Sequence, residues 1–235
     1  MQASEELEGD ADEAARNHWL AAAADAVRHA ADLSSINVHK QHANRVIETY
    51  AWHTVIVTST EWTNWDALRV SKMAQPEMFK IASMMREVRL ASTPEPLNYD
   101  EWHLPLIKRI PMDVVGGGTK DYGETYWLSS NGFDPVKVCV GRCAAVSYER
   151  HDATTPEKAS AICDKLRADG HMSPFEHALR PMTGHEMNLF RQDQFEWTGR
   201  DWAPAHKGVR YFLGNVEGWV QFRKLLPGEA VYCGE

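Results

Sequence analysis

Two arginines are the side chains whose surroundings most invite chemistry. Arg45 precedes Val46 and Ile47, and Arg69 sits among Ala67, Leu68 and Val70. A guanidinium keeps its charge, so among apolar neighbours it needs a carboxylate or an anionic ligand. One of the chain's 33 acidic residues could serve as well as a bound phosphate. Towards the end of the chain, Trp219, Gln221 and Arg223 alternate with Val220, Phe222 and Lys224. In a strand that spacing puts a glutamine and an arginine on one face, suited to a base or a phosphate, or to a solvated edge. A third candidate is His171-Met172-Ser173-Pro174-Phe175-Glu176-His177. Ser173 with Glu176 three residues on forms a capping-box pattern, and Pro174 takes the first helical position. The free amides of such a helix start can bind an anion or a ring carbonyl, although most capping boxes only cap.

Other chemistries find less support. His171 and His177 fall on different faces of a helix, and no HExxH or CxxC accompanies them, so no metal site is expected. Cys139, Cys143, Cys163 and Cys233 form no CxxC pair and read as buried or incidental thiols. Gly116-Gly117-Gly118 matches neither a P-loop nor a dinucleotide fingerprint.

These residues need elements to hold them. Residues 3–34 read as one long helix, with Leu7, Ala11, Ala15, Trp19, Ala22, Ala26, Ala30 and Leu33 on one stripe. A second helical stretch covers 38–50 and carries Arg45. Residues 52–58 (WHTVIVT) are rich in β-branched side chains and predict a buried strand. Ser59 or Thr60 then caps a helix through Asn64, Leu68 and Arg69. Gln75-Pro76-Glu77 starts another, whose buried face is Phe79, Ala82, Met85 and Val88. Val136, Val138 and Val140 alternate as in a strand. Thr155-Pro156-Glu157 opens a helix facing Ala159, Ile162 and Leu166 inward and closing at Gly170. The expected organisation is a single domain over 1–235: a mainly helical part (1–90), an irregular connection (91–135) and a strand-and-helix part (136–235).

Net charge is −8, which disfavours binding to a nucleic-acid polymer while leaving room for a single nucleotide. No apolar run approaches the roughly 18 residues of a membrane span. The opening MQASEELEGDADEAA is acidic where a signal peptide is basic, so a cytoplasmic protein is expected.

Two blocks together resemble the flavin-dependent thymidylate synthases. NVHKQHANRVIETYAWHTVIVTSTEWTNWDALRVSKMAQPEMFKIASMMREV is similar to that family's C-terminal half, and VCVGRCAAVSYERHD followed by GHMSPFEH to its N-terminal half. Their reversed order, with GNVEGWVQFRKLLPGE at the end, resembles the circularly permuted subgroup. The resemblance implies an α/β (α+β) fold with a mostly antiparallel sheet flanked by helices. It also implies reductive methylation of dUMP to dTMP with FAD, NADPH and methylene-tetrahydrofolate in a homotetramer. Carried over residue by residue, Arg69 becomes the catalytic group facing the pyrimidine. Arg45, Gln221 and Arg223 join it in binding dUMP, and Asn64, Leu68 and Ser173 contact the flavin. The family's signature, R/T-H-R-x-x-S-x-N-x-x-S-x-R, is absent: Arg28-His29 runs into Ala30 and Arg150-His151 into Asp152. The resemblance therefore implies a subunit or fragment whose missing segment is supplied by a separate polypeptide or lies upstream of this start, or else a defective site. The alternatives are a non-catalytic remnant that binds nucleotide or aids assembly, and a related pyrimidine C5 hydroxymethylase.

Overall fold

In the computed structural model of the chain, which describes residues 6–108, 123–147, 154–187, 195–197, 202–204 and 216–227, the alanine-rich opening segment is helix α1, Asp10–Ser35. Asp10, Asp12 and Glu13 occupy its first turn, where carboxylates favour the positive end of the helix dipole. Its end is set by Asn37 in the left-handed region (φ 61°), which lets Val38 N–H return to Leu33 O at 3.0 Å. The short helix α2, Lys40–Ala43, continues as a 3-10 helix over Asn44–Tyr50 and packs on α1. Trp19 meets Tyr50 edge to face at 5.2 Å, while small Ala26 and Ala43 are buried and let the backbones approach. Helix α3, Thr63–Arg69, and helix α4, Pro76–Ala91, follow, the latter with proline at its first position as the sequence predicts. Asp66 of α3 accepts from Arg89 of α4, with Arg86 3.7 Å away.

The chain divides into two compact units, Met1–Thr54 with Trp65–Arg89, and Val55–Asn64 with Leu90–Glu235. The second contains helices α5 (Glu124–Ser130), α6 (Pro135–Ala145) and α7 (Pro156–Ala168). Among its described residues are four strands of three residues each: β1 (Leu179–Pro181), β2 (Phe195–Trp197), β3 (Trp202–Pro204) and β4 (Trp219–Gln221). β1 pairs antiparallel with β4, Leu179 opposite Gln221, and β2 pairs antiparallel with β3.

Helix α6 is the centre of this unit. Asp134 caps it through Val136 N–H, Pro135 opens it, and residues on nearly all its sides are buried. One core joins Leu104, Ile107, Leu128, Val138, Cys139 and Ala159; a second joins Val140, Cys163, Phe175 and Leu226. Thr155 caps α7 by accepting from Lys158 N–H, and Gly170 (φ 73°) closes it as His171 N–H bonds Leu166 O at 2.9 Å.

Several expectations are corrected here. The mostly antiparallel sheet flanked by helices does not form: among the described residues helices dominate, and the strands make only two separate two-stranded ribbons. Val136, Val138 and Val140 lie in α6. A helix buried all round loses its 3.6-residue signature, and its short apolar run imitates a strand. Residues 52–58 form no regular element and pair with no strand among the described residues; Ile56 packs on the core while Val55 and Val57 stay exposed. In α4 Ala82 is fully buried, whereas Val88 is 71% exposed. Ser173–Glu176 is a 3-10 turn without the side-chain cap bond, anchored by buried Phe175. Among the described residues no helix is long and apolar enough to cross a membrane.

Candidate functional site

A cleft of about 570 Å³ opens within the second unit. Its back wall is the turn Leu104-Pro105-Leu106-Ile107, joined by Leu179 of β1 and Trp219 of β4. Its polar lining residues are Thr58, Ser59, Thr60, Glu95 and His103. An apolar wall with a few polar groups gathered on one side is the usual make-up of a small-molecule pocket, and the volume falls in the usual range.

The wall is held from behind. His103 bridges to Leu179 through paired backbone bonds of 2.6 and 3.1 Å, which ties the turn to β1. Leu106 adopts φ 64°, a conformation that costs a bulky residue about 1 kcal/mol or more. Arg142, buried in α6, donates from Nη1 to the Leu106 carbonyl at 2.9 Å and from Nε to the Thr154 carbonyl at 3.4 Å. Its charge is matched by Glu124 of α5 at 2.8 Å. Glu124 in turn accepts from Lys108 N–H at 3.0 Å, and Cys139 Sγ donates to the Pro105 carbonyl at 3.2 Å. Side chains of α5 and α6 thus fix the strained turn that shapes the cleft.

The rim is equally organised. Thr58 Oγ1 lies 3.0 Å from Nδ1 of His177. Burial pushes the His177 imidazole below its ordinary pKa, against the opposing charge of Glu176, and so favours the neutral ring. Thr60 Oγ1 accepts from Glu217 N–H at 2.6 Å, joining the rim to the residues that lead into β4. Beside the cleft, Arg180 forms a two-pronged pair with Glu186, at 2.8 and 2.6 Å, and stands 5.9 Å from the Trp102 ring centre. That pairing holds Glu186 far below the usual carboxylate range, at about 2. Two of the described thiols are poor nucleophiles. Bonding to Cys143 and burial push Cys139 well up, and burial pushes Cys163 to about 11.

The residues singled out from sequence lie elsewhere. Arg45 is exposed and pairs with Glu48 at 3.4 Å. Arg69 and Leu68 are exposed at the end of α3, and Asn64 at its start. In the second unit, Glu176 of the SPFEH turn accepts from Arg223 at 3.4 Å, which draws the turn holding Ser173 to the 3-10 helix after β4. Gln221 ends β4, so Gln221 and Arg223 do not share a strand face. None of these seven residues lines the cleft. Sequence reasoning missed Glu95, His103 and Arg142 as site residues. It took Ser59 and Thr60 as helix caps, and Thr58 and Trp219 as strand positions. The usable signal was the density of prolines and polar residues after Ala91, where loops carry function.

No family model matches the chain, and neither the curated proteins nor the solved structures give a match. The flavin-dependent thymidylate synthase resemblance is overturned by the fold: among the described residues helices dominate and the strands form only two-stranded ribbons, not that family's sheet. With it fall the synthase activity, the assignments of FAD, NADPH, methylene-tetrahydrofolate and dUMP, the homotetramer and the completing polypeptide. The nucleotide-binding remnant and the hydroxymethylase presuppose the same framework and fall too.

Proposed function

We propose that the unit Val55–Asn64 with Leu90–Glu235 is a small-molecule binding module. Its ligand is amphipathic: an apolar body rests on Leu104, Ile107, Leu179 and Leu97, and a polar end meets Thr58, Ser59, Thr60 and Glu95. The observation that carries this reading is the strained Leu106 turn, held against its conformational cost by Arg142, at the wall of a cleft of ligand size. A surface dent needs no such support. Cys139, Cys143 and Cys163 are free thiols, which supports a reducing compartment such as the cytoplasm.

The test is a ligand-observed NMR screen of small amphipathic molecules against the full chain, repeated with Leu97→Trp. The indole is large enough to occupy the cleft from its rim. Hits are expected for the native chain and lost in the variant, with circular dichroism unchanged. An absence of hits, or hits indifferent to Leu97→Trp, would remove the cleft as a binding site.

A further inference from the structure

Resting on the cleft's role as a binding site, we infer that its ligand is a cation: an ammonium group carried on an apolar body. The charges around the cleft select this class. Among the described residues Glu95 is the one carboxylate that lines the cleft, and no lysine or arginine lines it. Among the described residues Glu95 has no ion-pair or hydrogen-bond partner, so its charge is free to meet a ligand. Two guanidinium groups beside the wall are already neutralised. Arg180, next to Leu179, is closed on Glu186, and Arg142, behind Leu106, is closed on Glu124. Neither can offer its charge to an anion without breaking a pair.

The remaining polar groups suit N–H donors. With the His177 proton on Nε2, Nδ1 accepts the Thr58 hydroxyl, and the threonine oxygen keeps its lone pairs for a donor from the ligand. Thr60 brings Glu217 to the rim through its backbone, adding a second carboxylate-bearing residue beside the cleft. Trp219 supplies an indole, the strongest of the aromatic side chains for holding a cation. Among the described residues His103 is the lining residue that could oppose this, and it lines the cleft together with Glu95. Among the described lining residues an anionic ligand would find one carboxylate and no lysine or arginine; an ammonium ion finds a carboxylate, hydroxyl-bearing residues and an aromatic ring.

The experiment compares phenylbutylamine, phenylbutanol and phenylbutyrate, which share one apolar body, by calorimetry with the native chain and with Glu95→Gln. The amine is expected to bind about tenfold more tightly than the alcohol, as one charge-assisted contact provides, with the carboxylate weakest. In Glu95→Gln the amine should fall to the level of the alcohol while the alcohol is unchanged. Amine selectivity that survives in Glu95→Gln removes Glu95 from recognition and overturns the inference. If the alcohol or the carboxylate binds as well as the amine, the cation is wrong while the cleft remains a binding site. If none of the three binds, the cleft itself fails and this inference with it.

Discussion

Gly141 of α6 faces Ala159 of α7 with no room for a side chain: a Cβ on Gly141 would stand 2.6 Å from the Ala159 Cα. The atoms in the way are backbone, so the clash cannot be relieved by turning a rotamer. This contact lets two helices meet at the centre of the second unit, where Val138, Cys139, Cys143 and Ala159 share a core.

Gly141→Ala therefore sets two effects against each other. Alanine favours a helix over glycine by about 1 kcal/mol. Forcing a methyl group into a packed interface costs about 1–3 kcal/mol, and more when backbone must shift. The interface wins, and urea unfolding should show a net loss of about 2 kcal/mol with the slope unchanged. A gain in stability would mean that α6 and α7 are not in close contact at this point.

Arg142 is the second residue with a sharp prediction. Arg142→Met removes the partner of Glu124 and leaves the Leu106 and Thr154 carbonyls without their donor, so it should cost about 3 kcal/mol. Arg142→Lys keeps a charge for Glu124 but lacks the fork that reaches both carbonyls, and should lose less. Because Arg142 acts on the cleft through the Leu106 turn, the lysine variant should also weaken ligand binding while Glu95→Gln retains full stability. Equal stability of all three chains would show that Arg142 is not a support.

How far the sequence revealed this molecule depended on the kind of signal. Local punctuation was legible. Pro76 at the start of α4, Thr155 at the cap of α7 and Gly170 at its end each act within one turn of chain, whereas of the stripe expected on α1 only Ala26 is buried. The state of α6 was not, because burial on all sides erased the helical period and left only Asp134-Pro135 as a marker. Residues 52–58 show the converse: β-branched side chains favour an extended backbone, but a strand also needs a neighbour's free edge, which lies far away in sequence. The cleft was hidden for the same reason. Thr58 and His177, or Leu106 and Arg142, are brought together only by tertiary packing, and no spacing along the chain encodes them.

The Arg180–Glu186 pair predicts acid sensitivity. The Glu186 carboxyl titrates at about 2 in the folded chain against an ordinary 4.5, so the unfolded chain takes up its proton first as pH falls. The stabilisation is complete above pH 4.5 and is lost progressively down to about 2. On the order of 2 kcal/mol is at stake, part of the full shift being screened by solvent. Glu186→Gln should flatten the stability profile over that range when unfolding is followed in urea at stepped pH. A variant that declines as steeply as the native chain would assign the acid transition to other carboxylates.

His177 gives a separate window at milder pH. Burial lowers its folded pKa beneath the ordinary 6.5, so as pH falls the unfolded chain is protonated while the folded chain resists. Its contribution is full above 6.5 and declines as pH drops towards the folded pKa. The native chain should therefore lose more stability between neutral and mildly acidic pH than His177→Gln, and the difference between the two profiles isolates this ring from the chain's other histidines. Imidazole NMR resonances of His177 should titrate with a midpoint below 6.5. In Thr58→Val the ring loses the hydroxyl 3.0 Å from Nδ1, and its resonances should shift even at neutral pH, where no proton is taken up. A midpoint at or above 6.5, or resonances unmoved by Thr58→Val, would separate His177 from Thr58 and from the rim of the cleft.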